Sequence, residues 1–209
     1  MRFTNFALAA FSVGSALAAP AVHQPHARAL EILGVATTTV STVKSNVEGE
    51  LQNINKLLVS VNVNTTTLVP QLEHSLLTIA GEVTGIVGSV LPLVTEQVPA
   101  LLEGELTNVP ELLNNVLSIA NGVEATVQKI VNGIGGDALK ALKPELQLVL
   151  STVEPVAKPI LSFALGAVGS TVGPVAEEVH SLVGDLQNVL GGLLKPVAGL
   201  LGGVVGGVL

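Results

Sequence analysis

The chain has no cysteine, no tryptophan and no tyrosine, and only one methionine and four phenylalanines in 209 residues. Without cysteine there is no disulfide framework, no thiolate metal site and no thiol nucleophile. Without large aromatics the core has to be built from Val, Leu, Ile and Ala, which lack the bulky anchors that fix a unique packing. Charge is scarce too. Charged residues make up 12% of the chain, about half the share of an ordinary soluble domain. Basic residues are the scarcer sign, 9 against 16 acidic, for a net charge of −7. That balance excludes the phosphate backbone of nucleic acids and anionic membranes as electrostatic partners. What fills the chain instead is aliphatic: 48% of it is apolar, more than one small domain easily hides.

The first 18 residues read as a secretory signal peptide. Met1-Arg2 supplies a positive start, Phe6 to Val13 an apolar run, and Ala16-Leu17-Ala18 a small-x-small site that cuts between Ala18 and Ala19. The apolar run is too short to span a bilayer core of about 30 Å. The expected mature chain has 191 of the 209 residues, eight basic against 16 acidic, a single aromatic (Phe163) and a single arginine (Arg28).

After the signal, residues 19–34 read as an irregular leader, because Pro20 and Pro25, with His23 and His26, oppose an early helix. Residues 35–195 read as a helical domain. Apolar residues recur there at steps of three and four. The first stripe is Val40, Val43, Val47, Leu51, Ile54, Leu58, Val61. The second is Val69, Leu72, Leu76, Ile79, Val83, Ile86, Val90. The third runs from Leu102 through Val109, Leu113, Val116, Val123 and Ile130 to Ile134. The fourth is Leu139, Leu142, Leu146, Val149, Val153, and the fifth Val175, Val179, Leu182, Leu186, Val189, Leu193.

Punctuation separates the stripes. Thr67 is an N-cap candidate with Pro70 just after it, and Pro92 and Pro99 break the second helix. Asn108 and Glu111 signal the third start, and Gly135-Gly136 its end. Asp137 is the next N-cap candidate. Pro144, Pro155 and Pro159 kink or segment the fourth helix. Pro174 opens the fifth, with Glu177 and Glu178 in its first turn. Gly191-Gly192 and Pro196 are expected to close the pattern, leaving 196–209 as an uncharged Gly-rich apolar tail that frays in water. The expected fold is all-α, a bundle of four or five long amphipathic helices. Residues 59–65 (VSVNVNT) are the one short strand-like run.

Chemistry-bearing patterns are few. His180 follows Glu177 at the spacing of half a di-metal carboxylate site, but the matching position before His74 is Gln71, so no metal is expected. Asp137 and Asp185 are the only aspartates and read as helix-end residues. There is no Gly-x-Ser-x-Gly elbow, and Gly133-x-Gly135 lacks the rest of a nucleotide fingerprint. No catalytic residue and no cofactor is expected. Asn64-Thr65-Thr66 is an N-glycosylation sequon in a predicted loop. The uncharged segments Pro159–Ala176 and Pro196–Leu209 read as interaction surfaces. The apolar C-terminus meets one requirement of a lipid-anchor signal, but Lys195 interrupts it and no small-residue triplet precedes it.

The N-terminal MRFTNFALAAFSVGSALAAPA, the lack of cysteine and the stripes beginning VATTTVSTVKSNVEGELQNINKLL resemble small secreted fungal proteins of the hydrophobic surface-binding type. The Gly-rich tail and the prolines depart from that pattern. The resemblance implies a non-enzymatic extracellular protein that meets a hydrophobic surface, a cell wall or a lipid, or associates with itself. The alternative is a secreted binding module, a lipid carrier or a host-directed effector. N-terminal sequencing of the secreted protein should begin at Ala19 or a few residues beyond. A pool that retains Met1 in the cytosol would contradict export. Glycan removal should shift the mass of the secreted chain, and Asn64→Gln should abolish the shift.

Overall fold

Pro25 opens the first helix. The structure, a computed structural model, describes residues 25–59, 65–95, 101 and 103–202. Helix α1 spans Pro25–Val59, so the stretch read as an irregular leader is helical from Pro25 onward. A proline at the first helical position gives up only an N–H that has no partner there anyway. Ala29, Leu33 and Ala36 then extend the apolar stripe backwards, all fully buried. The signal peptide, the Ala18–Ala19 cleavage pair, the sequon at Asn64 and the strand-like run beyond Val59 lie outside the described residues.

Helix α2 spans Thr65–Val90, and a short α3 spans Pro92–Thr95. A 3-10 turn at Glu103–Glu105 precedes α4, Asn108–Gly133. Helix α5 spans Gly136–Val168 and α6 spans Pro174–Gly202. Among the described residues there is no strand and there are five long helices. The apolar stripes read from sequence are the buried faces: Val40, Val47, Ile54, Leu72, Ile79, Ile86, Leu113, Ile130, Leu142, Leu146, Val179 and Leu186 are all sealed from solvent.

Four further expectations need correction. Thr67 does not cap α2, which is already helical from Thr65. Helix α5 is not segmented but runs through Pro144, Pro155 and Pro159. Each proline deletes one backbone donor, and the exposed side of the helix at Pro144 and Pro155 leaves water to reach the freed carbonyls. Asp137 does not cap α5. It lies inside the first turn, its carboxylate 3.0 Å from Lys140 Nζ, and the capping position is Gly135. Helix α6 does not stop at Gly191-Gly192 or Pro196 but runs to Gly202. Buried Leu193 continues its stripe past the glycine pair, so packing outweighs propensity there.

The packing order is a four-helix bundle with one helix added. Helices α1, α2, α5 and α4 form the sides of the bundle, and α6 lies in the groove between α4 and α5. Cross-helix bonds set the directions. Asn46 Nδ2 donates to Glu82 at 3.1 Å, Ser118 Oγ to Glu48 at 3.3 Å, and Lys129 Nζ to Asn55 at 3.0 Å. With Leu101 N–H bonded to Ala167 O near the end of α5 and Gly192 of α6 beside Glu124 of α4, helices α1, α4 and α6 start at the same end, where α2 and α5 finish. The link from α2 to α4 crosses that end on the short α3. Helix α4 touches α1, α5 and α6, which is why both flanks of its stripe (Leu112 and Leu113, Ile119 and Ala120) are buried. Two glycines take left-handed backbone that other residues resist: Gly136 at φ +63° starts α5, and Gly169 at φ +52° ends it.

Gly122 faces α1 closely: a methyl there would stand 2.6 Å from Leu51 Cδ1, so the end of the Leu51 side chain occupies the space the missing side chain leaves. Gly81, Gly85 and Gly88 of α2 meet nothing within 4 Å. Chemical denaturation should therefore separate the two kinds. Gly85→Ala should stabilise by about 0.5–1 kcal/mol through helix propensity. Gly122→Ala should gain less than Gly85→Ala, because Leu51 Cδ1 has to move aside before the methyl fits. Equal stabilisation by both would contradict the α1–α4 contact. Ile79→Ala, which empties a fully buried site, should destabilise by about 2–5 kcal/mol.

Candidate functional site

The outer face of α2 is where the apolar surplus reaches solvent. Leu77, Gly81, Thr84, Gly85, Gly88 and Leu91 follow one another at helical spacing and are all exposed, and Val94 and Thr95 of α3 continue them. From Leu77 to Leu91 this is about 21 Å of helix. No exposed residue on that length carries a charge. Glu82, the one acid within it, turns to the flank and accepts from Asn46 at 3.1 Å. From Val83 to Thr95 the sequence has no charged residue at all.

The hydroxyls on this half of α2 are spent on the backbone. Thr78 donates to His74 O at 2.9 Å, Thr84 to Ala80 O at 2.7 Å, Ser89 to Ile86 O at 2.8 Å and Thr95 to Leu91 O at 3.2 Å. A threonine bonded this way has its one donor satisfied within the helix, although its oxygen can still accept from water. The face presents leucines, glycine backbone and threonines bonded to their own helix. Thr67–Thr95 and Gly136–Val168 are both long and apolar enough, by length and composition, to cross a membrane. Core helices of soluble proteins meet the same test, but only 33% of the most apolar window in Thr67–Thr95 is buried against its neighbours, against 50% in Gly136–Val168. Of these two apolar segments, Thr67–Thr95 is the less covered.

A second concavity has a different character. Gly34, Thr37, Thr38, Ser41 and Thr42 of α1 face Asn108 and Glu111 of α4 across an open groove of about 320 Å³. Thr37, Thr38 and Thr42 donate to the carbonyls of Leu33, Gly34 and Thr38. This groove is polar and open, without the apolar lining of a small-molecule pocket.

The sequence-level candidates fall apart in space. His74 and His180 are both exposed, on α2 and α6, which do not pack together. No group of three potential metal ligands forms among the described residues. Asp185 lies in the middle of α6, not at a helix end, because α6 continues to Gly202. His74 is exposed while Ser75 is buried, and His180 and Ser181 are both exposed. The segment 159–176, read as an interaction surface, is divided: Ile160, Leu161, Phe163, Ala164, Ala167 and Val168 are core, while Leu165 and Val172 are exposed. The outer face of α2 was not among the surfaces singled out from sequence. Its signals were the charge gap between Glu82 and Glu96 and the glycines at 81, 85 and 88.

No family model matches the chain, and no curated protein matches it. Among solved structures it is similar to the crystal structure of Afmp4p in complex with palmitic acid. The identity is 8% and the TM-score 0.47, over 78% of this chain and 99% of that one. At that distance neither ligand nor role carries over.

Thr84→Val should test the back-bonding of α2. It should change stability by less than about 1 kcal/mol, since the lost bond lies within the helix and the methyl replaces it isosterically. A large destabilisation would show that the hydroxyl does more than close on its own turn.

Proposed function

We propose that this is a non-enzymatic, exported helical protein that acts at a hydrophobic surface or lipid interface. The observation that supports the reading best is the outer face of α2. A helix with an uncharged exposed face about 21 Å long would be covered or charged in a protein made only to stay dissolved. Glycines on that face each weaken the helix by about 1 kcal/mol relative to alanine, yet they meet no neighbour that requires them. They keep the face smooth for a flat partner.

Specific protein interfaces concentrate their energy in Tyr, Trp and Arg. The expected mature chain has no Tyr or Trp and one arginine. Non-directional burial needs none of these. At about 25 cal/mol per Å², a few hundred Å² of apolar face contributes several kcal/mol before ordering costs. The cell wall, a lipid layer and an abiotic solid all offer such a partner, and Asn64 would carry a glycan on an exported chain.

The full-length protein should be depleted from solution by alkyl-coated beads. Gly85→Glu combined with Gly88→Lys should weaken retention about tenfold, which corresponds to about 1.4 kcal/mol, with an unchanged far-ultraviolet spectrum. Asn121→Glu, on the exposed side of α4, should leave it alone. A wild-type protein that stays in solution over the beads would end this reading. Stoichiometric uptake of a fatty acid by the dissolved protein would favour the carrier instead.

A further inference from the structure

Two uncharged segments far apart in sequence arrive at one end of the bundle. One is 83–95, the other 159–176. Packing of α2 and α3 against α5 brings the two regions together, and Leu101, six residues after α3, is bonded to the second. Its N–H donates to Ala167 O at 2.8 Å, and its carbonyl accepts from Thr171 Oγ1 at 3.0 Å. Leu101 itself is buried, and α3 packs against α1, α2 and α5 around it. The described residues of this end are thus packed and hydrogen-bonded. On it Leu91, Val94, Leu165 and Val172 remain exposed, Val172 at 88%.

The same end has a mainly acidic side. Helices α1, α4 and α6 all begin there and carry Glu31, Glu111, Glu177 and Glu178, all exposed; Arg28 of α1 is the cation among them, and the Glu103–Glu105 turn before α4 adds two more acids. The uncharged half and the acidic half divide the end between the helices that finish there and the helices that start there.

We propose that this end of the bundle docks onto lipid surfaces with uncharged or zwitterionic headgroups, with the acidic half excluding anionic ones. The proposal rests on the interfacial reading and adds where contact is made and with which surface. Leu91, Val94, Leu165 and Val172 enter the apolar layer. The carboxylates beside them come within a Debye length, about 8 Å at physiological salt, of whatever headgroups lie there. An anionic leaflet repels them, and a zwitterionic one does not. A second copy of this chain is the poorer occupant, because two copies meeting at this end would bring both sets of four carboxylates into one contact.

The experiment measures partitioning of the full-length protein onto sucrose-loaded vesicles of phosphatidylcholine and of phosphatidylglycerol. The proposal expects binding to phosphatidylcholine about tenfold stronger at low salt, with the gap closing as salt screens the carboxylates. Val94→Glu combined with Val172→Glu, both exposed positions, should lower phosphatidylcholine binding about tenfold with helicity unchanged. Val59→Glu, at the opposite end of α1, should have no effect. Equal or stronger binding to phosphatidylglycerol overturns the proposal, as does a loss shared by Val59→Glu. So does sedimentation showing a dimer that Val172→Glu dissolves. Retention on alkyl beads without binding to either vesicle overturns this proposal and leaves the interfacial reading standing. Failure on the beads ends both.

Discussion

A core made only of aliphatic side chains has to hold five long helices in register, and the rest of the molecule follows from how that is done. Nothing covalent helps, since cysteine is absent. The described ion pairs are exposed and short-range, such as Lys44 to Glu48 at 3.3 Å within α1, and pairs of that kind contribute little. The seam therefore depends on continuous burial of Val, Leu, Ile and Ala along every helix, with Leu51 of α1 filling the space beside Gly122 of α4. Phe163 is the one aromatic in the described core. Long helices suit this core because small side chains bury little area each, so many turns are required.

The same composition that builds the seam overruns it. With charged residues at 12% of the chain, there are too few to clothe every outward face. The surplus is not spread evenly. Five of the exposed large apolar residues, Leu77, Leu91, Val94, Leu165 and Val172, lie along α2 and α3 and where α5 finishes, while Glu31, Glu111, Glu177 and Glu178 stand at the starts of α1, α4 and α6. Back-bonded threonines sharpen the division, since Thr78, Thr84 and Thr95 donate to their own helix and not to water. A polar residue by name thus offers water only an acceptor.

The helices themselves were legible from the spacing of apolar residues, because one buried face per helix imposes a period of three and four. Every residue of the stripes Leu72 to Val90 and Val109 to Ile134 is buried, although Ala80, Leu112 and Ile119 beside them are buried too. Proline and glycine misled where packing overrode local preference. Pro25 starts a helix, Pro155 interrupts none, and Gly191-Gly192 lies within α6. The candidate surface was only half legible. The charge gap at 159–176 was visible, but most of that segment is core. The gap at 83–95 became a surface only because α2 packs against α1 and α5 and leaves its third side open. No one-dimensional pattern shows which side of a helix remains uncovered, nor that α3 would pack against α5 and bring the two gaps together.

The central claim, that the uncharged corner formed by the ends of α2 and α5 is the contact surface, has a direct test in the chain's lack of tryptophan. A single tryptophan placed at Leu91, at Leu165 or at Val59 is the sole indole in the protein. Its emission then reports the polarity at that position alone. On phosphatidylcholine vesicles, Leu91→Trp and Leu165→Trp should shift to the blue and resist aqueous quenchers, while Val59→Trp should stay as it is in solution. A blue shift at Val59→Trp with none at the other two would contradict the account.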